Sequence, residues 1–252
     1  MMKMTSKYIA FFCLLCLLVS CKTQNLFQET TKEQKAHKME LDSAFFFNPD
    51  YQYIIRKDDK INISVWGQED LSVGSVYGIY NSNEVYGKWL LVDASGNIEV
   101  PKIGTTKVEG KSVIELKDSL KNIFQEWIVR PIVDVKVLNK EITILGEVKT
   151  PGIIQVDKDR NTLLELIARA GGFDFYANIK YVKVLRQEGE HVRVANVDLS
   201  QAGGYLKKNL QLYPGDMVIV PSKSYKEFDK RISVIIPFTT TVSASAIILG
   251  LF

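Results

Sequence analysis

The same order of local patterns occurs twice along the 252-residue chain: alternating apolar and polar residues, one amphipathic helix, and further alternation. In the first copy Ile61, Ile63 and Val65 alternate with polar residues, which is the period-two pattern of a half-buried strand. Alternation returns at 132–137, and the second copy occupies 142–220. Two such units predict an α+β fold with two small domains, each a sheet covered by one helix.

A capping-box pattern marks the start of each predicted helix. Ser112 and Glu115 are three positions apart, so each side chain can accept a hydrogen bond from the other residue's backbone N–H. Thr162 and Glu165 repeat this spacing. Pro131 disfavours helical geometry at the residue before it and is expected to end the first helix. The predicted buried faces are Val113, Leu116, Leu120, Ile123 and Trp127 in the first helix, and Leu163, Leu166, Ile167 and Ala170 in the second.

The first 21 residues have the organisation of a bacterial secretion signal. Lys3 and Lys7 precede an apolar run at 8–19, and the small residue Ser20 precedes Cys21. The Leu-Val-Ser-Cys run at 18–21 resembles a lipobox. We therefore interpret residues 1–20 as a lipoprotein signal peptide and Cys21 as the lipidated residue. The alternative is an ordinary signal peptide, or a short buried helix, in which this cysteine occurs by chance.

The positions of the cysteines restrict how the mature chain can be stabilised. Cys13 and Cys16 lie inside the signal peptide, so their C-x-x-C spacing is no redox motif. Cys21 is then the only cysteine left, and it can form no internal disulfide even in an oxidising compartment. Stability must come from packed cores.

Charge and motifs argue against several functional classes. The formal net charge is +3, and loss of Lys3 and Lys7 with the signal peptide lowers it by two, so no nucleic-acid partner is predicted. The only histidines, His37 and His191, are far apart and have no metal-site spacing. No nucleophile elbow, phosphate loop or paired-carboxylate signature is present. The sequence predicts no enzyme and no catalytic, cofactor or metal site.

Composition divides the mature chain into four segments. The polar stretch 21–48 is predicted to be a tether. The two folded domains are predicted at 49–138 and 139–222, meeting near 138–141. Residues 223–252 are predicted to be a juxtamembrane segment followed by a C-terminal membrane helix.

Residues 232–252 carry no charged side chain and would span about 31 Å as a helix, enough for a bilayer core. Thr239, Ser243, Ala246 and Gly250 recur at spacings of four, three and four, which gives one side a small, partly polar stripe. Such a stripe lets membrane helices approach closely. The alternative is a single inner-membrane anchor, but the hydroxyl content and the basic residues on the non-cytoplasmic side at 223–231 disfavour it.

In this order the segments resemble the bacterial outer-membrane polysaccharide export lipoproteins over about residues 50–222. The first unit is similar to their polysaccharide-export domain and the second to their soluble-ligand-binding β-grasp module. The matching stretches are 53–55 with Asp59, 61–67, 96–104 and 108–110 in the first unit, and 145–148, 151–152, 170–172 and 214–216 in the second. The family often has Pro-Gly-Asp where this chain has Lys57, Asp58 and Asp59, which leaves open a different first turn.

The resemblance implies a subunit of an outer-membrane channel that exports capsular or extracellular polysaccharide. Such a subunit would be lipid-anchored, with its soluble domains in the periplasm. It would form a ring-shaped homo-oligomer whose C-terminal helices surround the exit. Its partners would be polysaccharide, membrane lipid and an inner-membrane polysaccharide co-polymerase. The alternative is a periplasmic glycan- or ligand-binding lipoprotein without a pore, which would be a monomer.

Residues 76–89 look like an insertion into the first unit and contain the candidate glycan contacts Tyr77, Tyr80, Tyr86 and Trp89. Aromatic rings offer flat apolar faces on which sugars stack. The same rings would equally serve strand packing or a subunit contact, because aromatic residues are also enriched at protein interfaces.

Overall fold

The computed structural model describes residues 43–68, 71–72, 89–200 and 209–233, which form a mixed α+β fold. The buried apolar side chains of these ranges make two hydrophobic clusters. One cluster draws on residues 53–137, here called the first unit. The other draws on residues 142–220 together with Phe45, here called the second unit.

The first unit is a three-stranded antiparallel sheet with a separate hairpin and one helix. The sheet has the order β2-β1-β5, and Ile61, Ile63 and Val65 on β1 are fully buried, which confirms the predicted alternation. β3 and β4 form the hairpin. The elements are β1 (Lys60–Val65), β2 (Leu90–Leu91), β3 (Asn97–Val100), β4 (Gly104–Lys107), α1 (Val113–Phe124) and β5 (Val133–Val137).

Helix α1 is shorter than the sequence suggested and buries a different last residue. It ends at Phe124, ahead of Pro131, and its buried side chains are Leu116, Leu120 and Phe124. These residues are four positions apart, so they lie in one row on the helix. Trp127 lies past the helix end with 53% of its surface exposed, so its predicted burial was wrong.

The second unit is a five-stranded mixed sheet of order β10-β9-β12-β6-β7, covered by one helix. β6 and β12 pair in parallel, and the other neighbours in this sheet are antiparallel. β8 and β11 form a small separate pair. The elements are β6 (Glu141–Gly146), β7 (Gly152–Gln155), β8 (Asn161–Thr162), α2 (Leu163–Arg169), β9 (Val182–Glu188), β10 (His191–Val197), β11 (Gln211–Leu212) and β12 (Met217–Val220).

Only the first of the two predicted capping boxes is complete. At α1, the Ser112 N–H donates to Glu115 Oε2 at 2.7 Å and the Glu115 N–H donates to Ser112 Oγ at 3.2 Å. At α2, the Glu165 N–H donates to Thr162 Oγ1 at 3.3 Å, but the Glu165 carboxylate does not accept a hydrogen bond from the Thr162 N–H. It accepts instead from Lys158 Nζ at 2.8 Å and Arg169 Nη2 at 3.0 Å. The reciprocal half of the second box was therefore predicted wrongly.

Gly146 lets the two parallel strands of the second unit approach closely. It ends β6 with φ +94°, and an added Cβ would collide with the carbonyl oxygen of Val220 on β12. The following Glu147 N–H donates to that carbonyl at 2.9 Å. Glycine is required here both for the backbone angle and for the missing side chain.

The segment ahead of the first unit packs on the second unit. The 3₁₀ turn Ser43–Phe45 places the Phe45 ring, fully buried, in the second unit's core. A buried phenylalanine therefore holds the last residues of the predicted tether at 21–48 against the second unit, and the bounds of that tether stay a prediction. We call residues 43–49 the N-terminal strap.

The link between the units is tied to the first sheet. The Leu138 N–H donates to the Lys60 carbonyl at 2.8 Å, and the Lys60 N–H donates to Asn139 Oδ1 at 2.8 Å. Asn139 Nδ2 donates in turn to the Asp58 carbonyl at 3.0 Å. The domain boundaries read from the sequence stay a prediction.

After β12 the chain turns into a helical segment at 226–233, where the described residues end. The predicted C-terminal membrane helix lies beyond them. Within the part of the chain that the structure describes, no helix is long and apolar enough to cross a membrane.

Candidate functional site

An open cavity of about 560 Å³ lies between the two units, and we call it the junction cleft. The N-terminal strap forms one wall. Tyr51 and Arg56 contribute from the first unit, and residues 186–188 and 213–216 contribute from the second. Three separate parts of the chain therefore meet at this cleft.

A buried ion pair forms the base of the cleft. Arg186 Nε donates to Asp216 Oδ1 at 2.9 Å, and Arg186 Nη2 donates to Asp216 Oδ2 at 2.7 Å. Arg186 also donates to the carbonyls of Gln211, at 3.1 Å, and of Ala44 in the strap. Such two-pronged pairing gives fixed geometry, and the added carbonyls help to offset the desolvation of a buried charge. The guanidinium thus ties the strap, β9 and the 213–216 turn together.

Aromatic rings lie on the faces of this guanidinium. Its central carbon is 4.7 Å from the Phe45 ring centroid and 4.0 Å from that of Tyr213. Desolvated contacts of this kind between a cation and a ring are favourable. Tyr213 in turn stacks in parallel on Tyr51 of the first unit, with ring centroids 3.6 Å apart. Burial raises the pKa of both phenols, so both stay neutral at the contact between the units.

The turn at 213–216 explains the Pro-Gly-Asp sequence in the second unit. Asp216 Oδ2 accepts from the Tyr213 N–H at 2.8 Å, and the Asp216 N–H donates to the Tyr213 carbonyl at 3.0 Å. Gly215 between them has φ +93°, a left-handed angle that glycine adopts readily. The same carboxylate therefore closes the turn and binds Arg186.

The turn at 56–59 has the same design although its sequence departs from Pro-Gly-Asp. Asp59 Oδ2 accepts from the Arg56 N–H at 2.8 Å, and Asp58 takes the left-handed position with φ +65°. Asp59 is buried, and the Tyr53 hydroxyl donates to its two oxygens at 2.9 and 3.0 Å. Burial raises the pKa of the Asp59 carboxyl, against the lowering effect of these hydrogen bonds. The change of sequence at Lys57 and Asp58 leaves the turn itself intact.

The rim of the cleft carries two exposed aromatic side chains that the sequence reading assigned to the tether. Phe46 and Phe47 are 54% and 67% exposed, and the Arg160 guanidinium lies 5.6 Å from the Phe47 ring centroid. Gln187 and Glu188 add polar groups to the lining. The signal that could have located this region is the run of three phenylalanines at 45–47 inside a polar segment.

The cleft can offer ring faces and hydrogen-bonding groups to a ligand. Its buried ionisable groups, Arg186 and Asp216, bind each other and are not directed at a substrate. Among the described residues, no three histidine, cysteine, aspartate or glutamate side chains are grouped closely enough to hold a metal ion.

Most of the residues singled out from the sequence lie outside the described ranges: Cys21, Tyr77, Tyr80, Tyr86, Thr239, Ser243, Ala246 and Gly250. Trp89 is described and lies next to β2, not in the lining of the junction cleft. Its ring is 40% exposed, and Lys60 Nζ lies 4.6 Å from the ring centroid. One face of the indole is therefore occupied by a cation, and its role as a glycan contact stays a prediction.

Comparison with protein families gives two matches that follow each other along the chain. Residues 48–138 match the polysaccharide biosynthesis/export protein family. Residues 140–220 match the SLBB domain. The two matched ranges coincide closely with the two hydrophobic clusters of the structure.

Individual relatives are bacterial. The EPS I polysaccharide export outer membrane protein EpsA of Ralstonia nicotianae is 30% identical over 184 residues, covering 68% of this chain and 48% of the relative. The EpsA of Ralstonia solanacearum is 34% identical over 135 residues, covering 48% of this chain and 35% of the relative. The polysialic acid transport protein KpsD of Escherichia coli is 28% identical over 186 residues, covering 71% of this chain and 29% of the relative. The chain thus spans less than half the length of each relative it matches.

Proposed function

The chain belongs to the polysaccharide export protein family, and from that premise we propose that it is a subunit of an outer-membrane channel exporting capsular or extracellular polysaccharide. The observation that carries the proposal is the ordered match of an export domain at 48–138 and an SLBB domain at 140–220. Relatives that align with 68% and 71% of this chain are named as polysaccharide export or transport proteins.

The contacts at the junction cleft suit a passive structural subunit. A channel wall needs its two units held in one orientation while a polymer passes. Arg186 binds the strap and the 213–216 turn, and Tyr51 of the first unit stacks on Tyr213 of the second. Closely packed and hydrogen-bonded groups of this kind resist deformation. The subunit would position polysaccharide without changing it chemically.

The membrane attachments belong to the two ends of the chain. Cys21 would carry the lipid, with the folded units in the periplasm. One acyl chain gives only marginal membrane binding, so several chains on Cys21 together with the tail would anchor the subunit. Residues 232–252 would cross the outer membrane as a helix, because backbone groups in lipid must be satisfied internally. The stripe of Thr239, Ser243, Ala246 and Gly250 would then face neighbouring helices.

The assembly would be a ring-shaped homo-oligomer, since head-to-tail contacts form a ring when the rotation closes. Its interior would be the route of the polysaccharide, and an inner-membrane polysaccharide co-polymerase would supply synthesis and propulsion. Tyr77, Tyr80, Tyr86 and Trp89 are candidate glycan contacts along this route.

One observation favours a second candidate function, a periplasmic glycan-binding lipoprotein without a pore. The exposed rings of Phe46 and Phe47 stand beside Gln187 and Glu188 at the junction cleft. Stacking faces next to hydrogen-bonding groups would suit a sugar. This candidate needs neither a ring nor a membrane-spanning tail.

Removing residues 232–252 tests the channel directly. Surface capsule or exopolysaccharide should be lost, while the two units stay folded and the protein level stays unchanged. As a matched pair, Ser243→Leu with Gly250→Leu should reduce export, whereas Ile248→Leu should not, because only the first two positions lie on the small stripe. Normal export by the shortened protein would place the pore elsewhere.

Two measurements on the intact protein separate the candidates further. Cys21→Ala should block processing and leave a larger precursor. A mass measurement of the wild-type protein that finds it unmodified, mature and soluble would contradict lipid anchoring. Particle images of detergent-extracted protein should show rings. A monomer that still binds glycan would favour the second candidate.

A further inference from the structure

A group of exposed aromatic side chains lies where the second unit passes into the C-terminal segment. Phe175, in the loop after α2, is 72% exposed, and Phe228, in the helical segment at 226–233, is 65% exposed. Tyr225 lies just ahead of that helix and is also exposed. We call Phe175, Tyr176, Tyr225 and Phe228 the aromatic collar.

Contacts within the collar hold three of these rings in place. Phe175 and Tyr176 meet edge to face with centroids 5.1 Å apart, and Tyr176 meets Tyr225 at 6.2 Å. The Lys223 N–H donates to the Tyr176 carbonyl at 2.8 Å, and Lys223 Nζ donates to the Phe175 carbonyl at 3.2 Å. The loop and the C-terminal segment therefore form one built surface, since rings in such geometry stabilise each other.

Lysines lie among these rings. Lys223 Nζ is 5.7 Å from the Phe175 centroid and 5.8 Å from that of Tyr225. Lys226 Nζ is 5.9 Å from the Tyr176 centroid and forms an ion pair with Glu147. Over residues 223–231 basic side chains outnumber acidic ones by four to two. Tyrosine and lysine side chains combine an apolar body with a polar tip, and the phenylalanine rings add apolar surface, so this set suits the boundary between water and lipid.

The position of the collar identifies its occupant. The helical segment that carries Phe228 leads directly into residues 234–252, which contain no charged side chain. Phe228 precedes residue 232, where the proposed membrane helix begins, by four positions, which is about 6 Å along a helix, roughly the depth of a lipid headgroup layer. Lys223, which lies between the Phe175 and Tyr225 rings, complements anionic phosphates at this depth.

We propose that the aromatic collar docks into the phospholipid headgroup region of the membrane that receives residues 232–252. The inference rests on the membrane-spanning tail of the proposed function. Docking seats the second unit directly on the membrane surface. It also fixes how far the tail inserts, because Phe175 comes from a loop of the folded unit and not from the tail.

The test uses full-length protein reconstituted in vesicles of phosphatidylethanolamine and phosphatidylglycerol. An environment-sensitive fluorescent amino acid replaces one residue at a time, at Phe175, Phe228, Ile248 or Ile114. Ile114 is the matched control, because it is an exposed apolar side chain on α1 in the first unit. Quenching is compared between lipids with a nitroxide on the headgroup and lipids with a nitroxide deep in the acyl chain.

We expect quenching by the headgroup nitroxide (headgroup quenching) to be several-fold stronger for probes at 175 and 228 than for the probe at 114. The probe at 248 should be quenched by the nitroxide deep in the acyl chain. Quenching at 175 and 228 no greater than at 114, while 248 is quenched, would overturn the collar proposal and keep the membrane tail. No quenching at 248 would contradict the membrane tail of the proposed function. In that case, headgroup quenching at 175 and 228 would still support surface docking by the collar, and its absence would overturn that as well.

A paired substitution gives a second readout. Phe175→Ser with Phe228→Ser should lower the headgroup quenching of a probe at Tyr225, whereas Ile114→Ser should leave it unchanged. If the collar instead covered a second copy of the chain, the paired substitution would dissociate the oligomer without changing lipid quenching. That outcome would also overturn the proposal.

Discussion

The turn at 56–59 in the first unit and the turn at 213–216 in the second have the same hydrogen-bonding scheme, but their buried aspartates have different partners. Asp216 pairs with Arg186, which donates to both of its oxygens. Asp59 has a neutral partner, the hydroxyl of Tyr53, and burial raises the pKa of its carboxyl. The shared turn is therefore local, whereas the partner of each carboxylate comes from the surrounding fold.

The difference matters for what each turn holds together. Asp216 is part of a set of contacts that reaches the N-terminal strap, because Arg186 also binds the Ala44 carbonyl. Asp59 and Tyr53 lie within the first unit, six residues apart. Damage at Asp216 should consequently spread to the junction, while damage at Asp59 should stay local.

The largest expected effect is at Asp216. Asp216→Asn leaves the Arg186 charge buried without its counterion and should lower the free energy of unfolding by about 3–5 kcal/mol. Asp59→Asn should cost less, about 1–2 kcal/mol, since it leaves no buried cation unpaired and keeps one oxygen that can accept a hydrogen bond. Chemical denaturation of detergent-solubilised protein, followed by near-ultraviolet circular dichroism, measures both. The double substitution Arg186→Met with Asp216→Leu should recover part of the loss, and equal losses at the two aspartates would contradict the comparison.

The residues at the left-handed positions of the two turns, Asp58 and Gly215, should tolerate glycine but lose stability when replaced by alanine. Asp58→Gly should be near neutral, whereas Asp58→Ala should cost about 1–2 kcal/mol, because alanine lacks a polar side chain that tolerates this angle. Gly215→Ala should cost a similar amount at φ +93°, with Arg56 Nη1, 2.9 Å from the added Cβ, moving aside. Thermal unfolding of the three variants measures these changes in stability. A destabilising Asp58→Gly would show that the Asp58 side chain has a role of its own.

The N-terminal caps of α1 and α2 allow a further comparison between the first and the second unit. Ser112→Ala should cost about 1–2 kcal/mol, because α1 loses one half of a complete capping box. Thr162→Ala should cost about 0.5–1 kcal/mol, because threonine is a weaker N-cap than serine and has no reciprocal partner here. Hydrogen exchange at the first turn of each helix reports the difference. Similar exchange in both variants would mean that the complete box does not strengthen the bond to the Ser112 side chain.

The smallest expected effect is a pH dependence at Asp59. Its pKa is raised in the folded state by burial, so the unfolded carboxyl loses its proton at lower pH than the folded one. Stability relative to Asp59→Asn should therefore be highest in acid and fall as the pH rises from about 4 through the raised pKa. Glu115 should show the opposite sign, because the Ser112 N–H holds its pKa below the usual range. Plots of the denaturation midpoint against pH for wild type and Asp59→Asn test this expectation. Parallel curves would contradict it.

Local patterns predicted the fold better than they predicted the site. The alternation at Ile61, Ile63 and Val65 and the helix starts at Ser112 and Thr162 could be read directly, because strand period and capping depend on residues a few positions apart. The match of residues to a known family likewise rested on short ordered stretches. The helix end at Phe124 was missed because an apolar residue at 127 fits the same stripe by spacing alone.

The junction was decided by tertiary structure. Arg186 and Asp216 are 30 residues apart, and nothing in their neighbourhoods marks them as a pair. Phe45 precedes the first unit in the chain but lies in the core of the second. Sequence by itself determined the order of strands, helices and turns, because these depend on backbone angles and side-chain period. Only the packed structure determined which buried charge meets which partner, because that depends on surfaces brought together from distant parts of the chain.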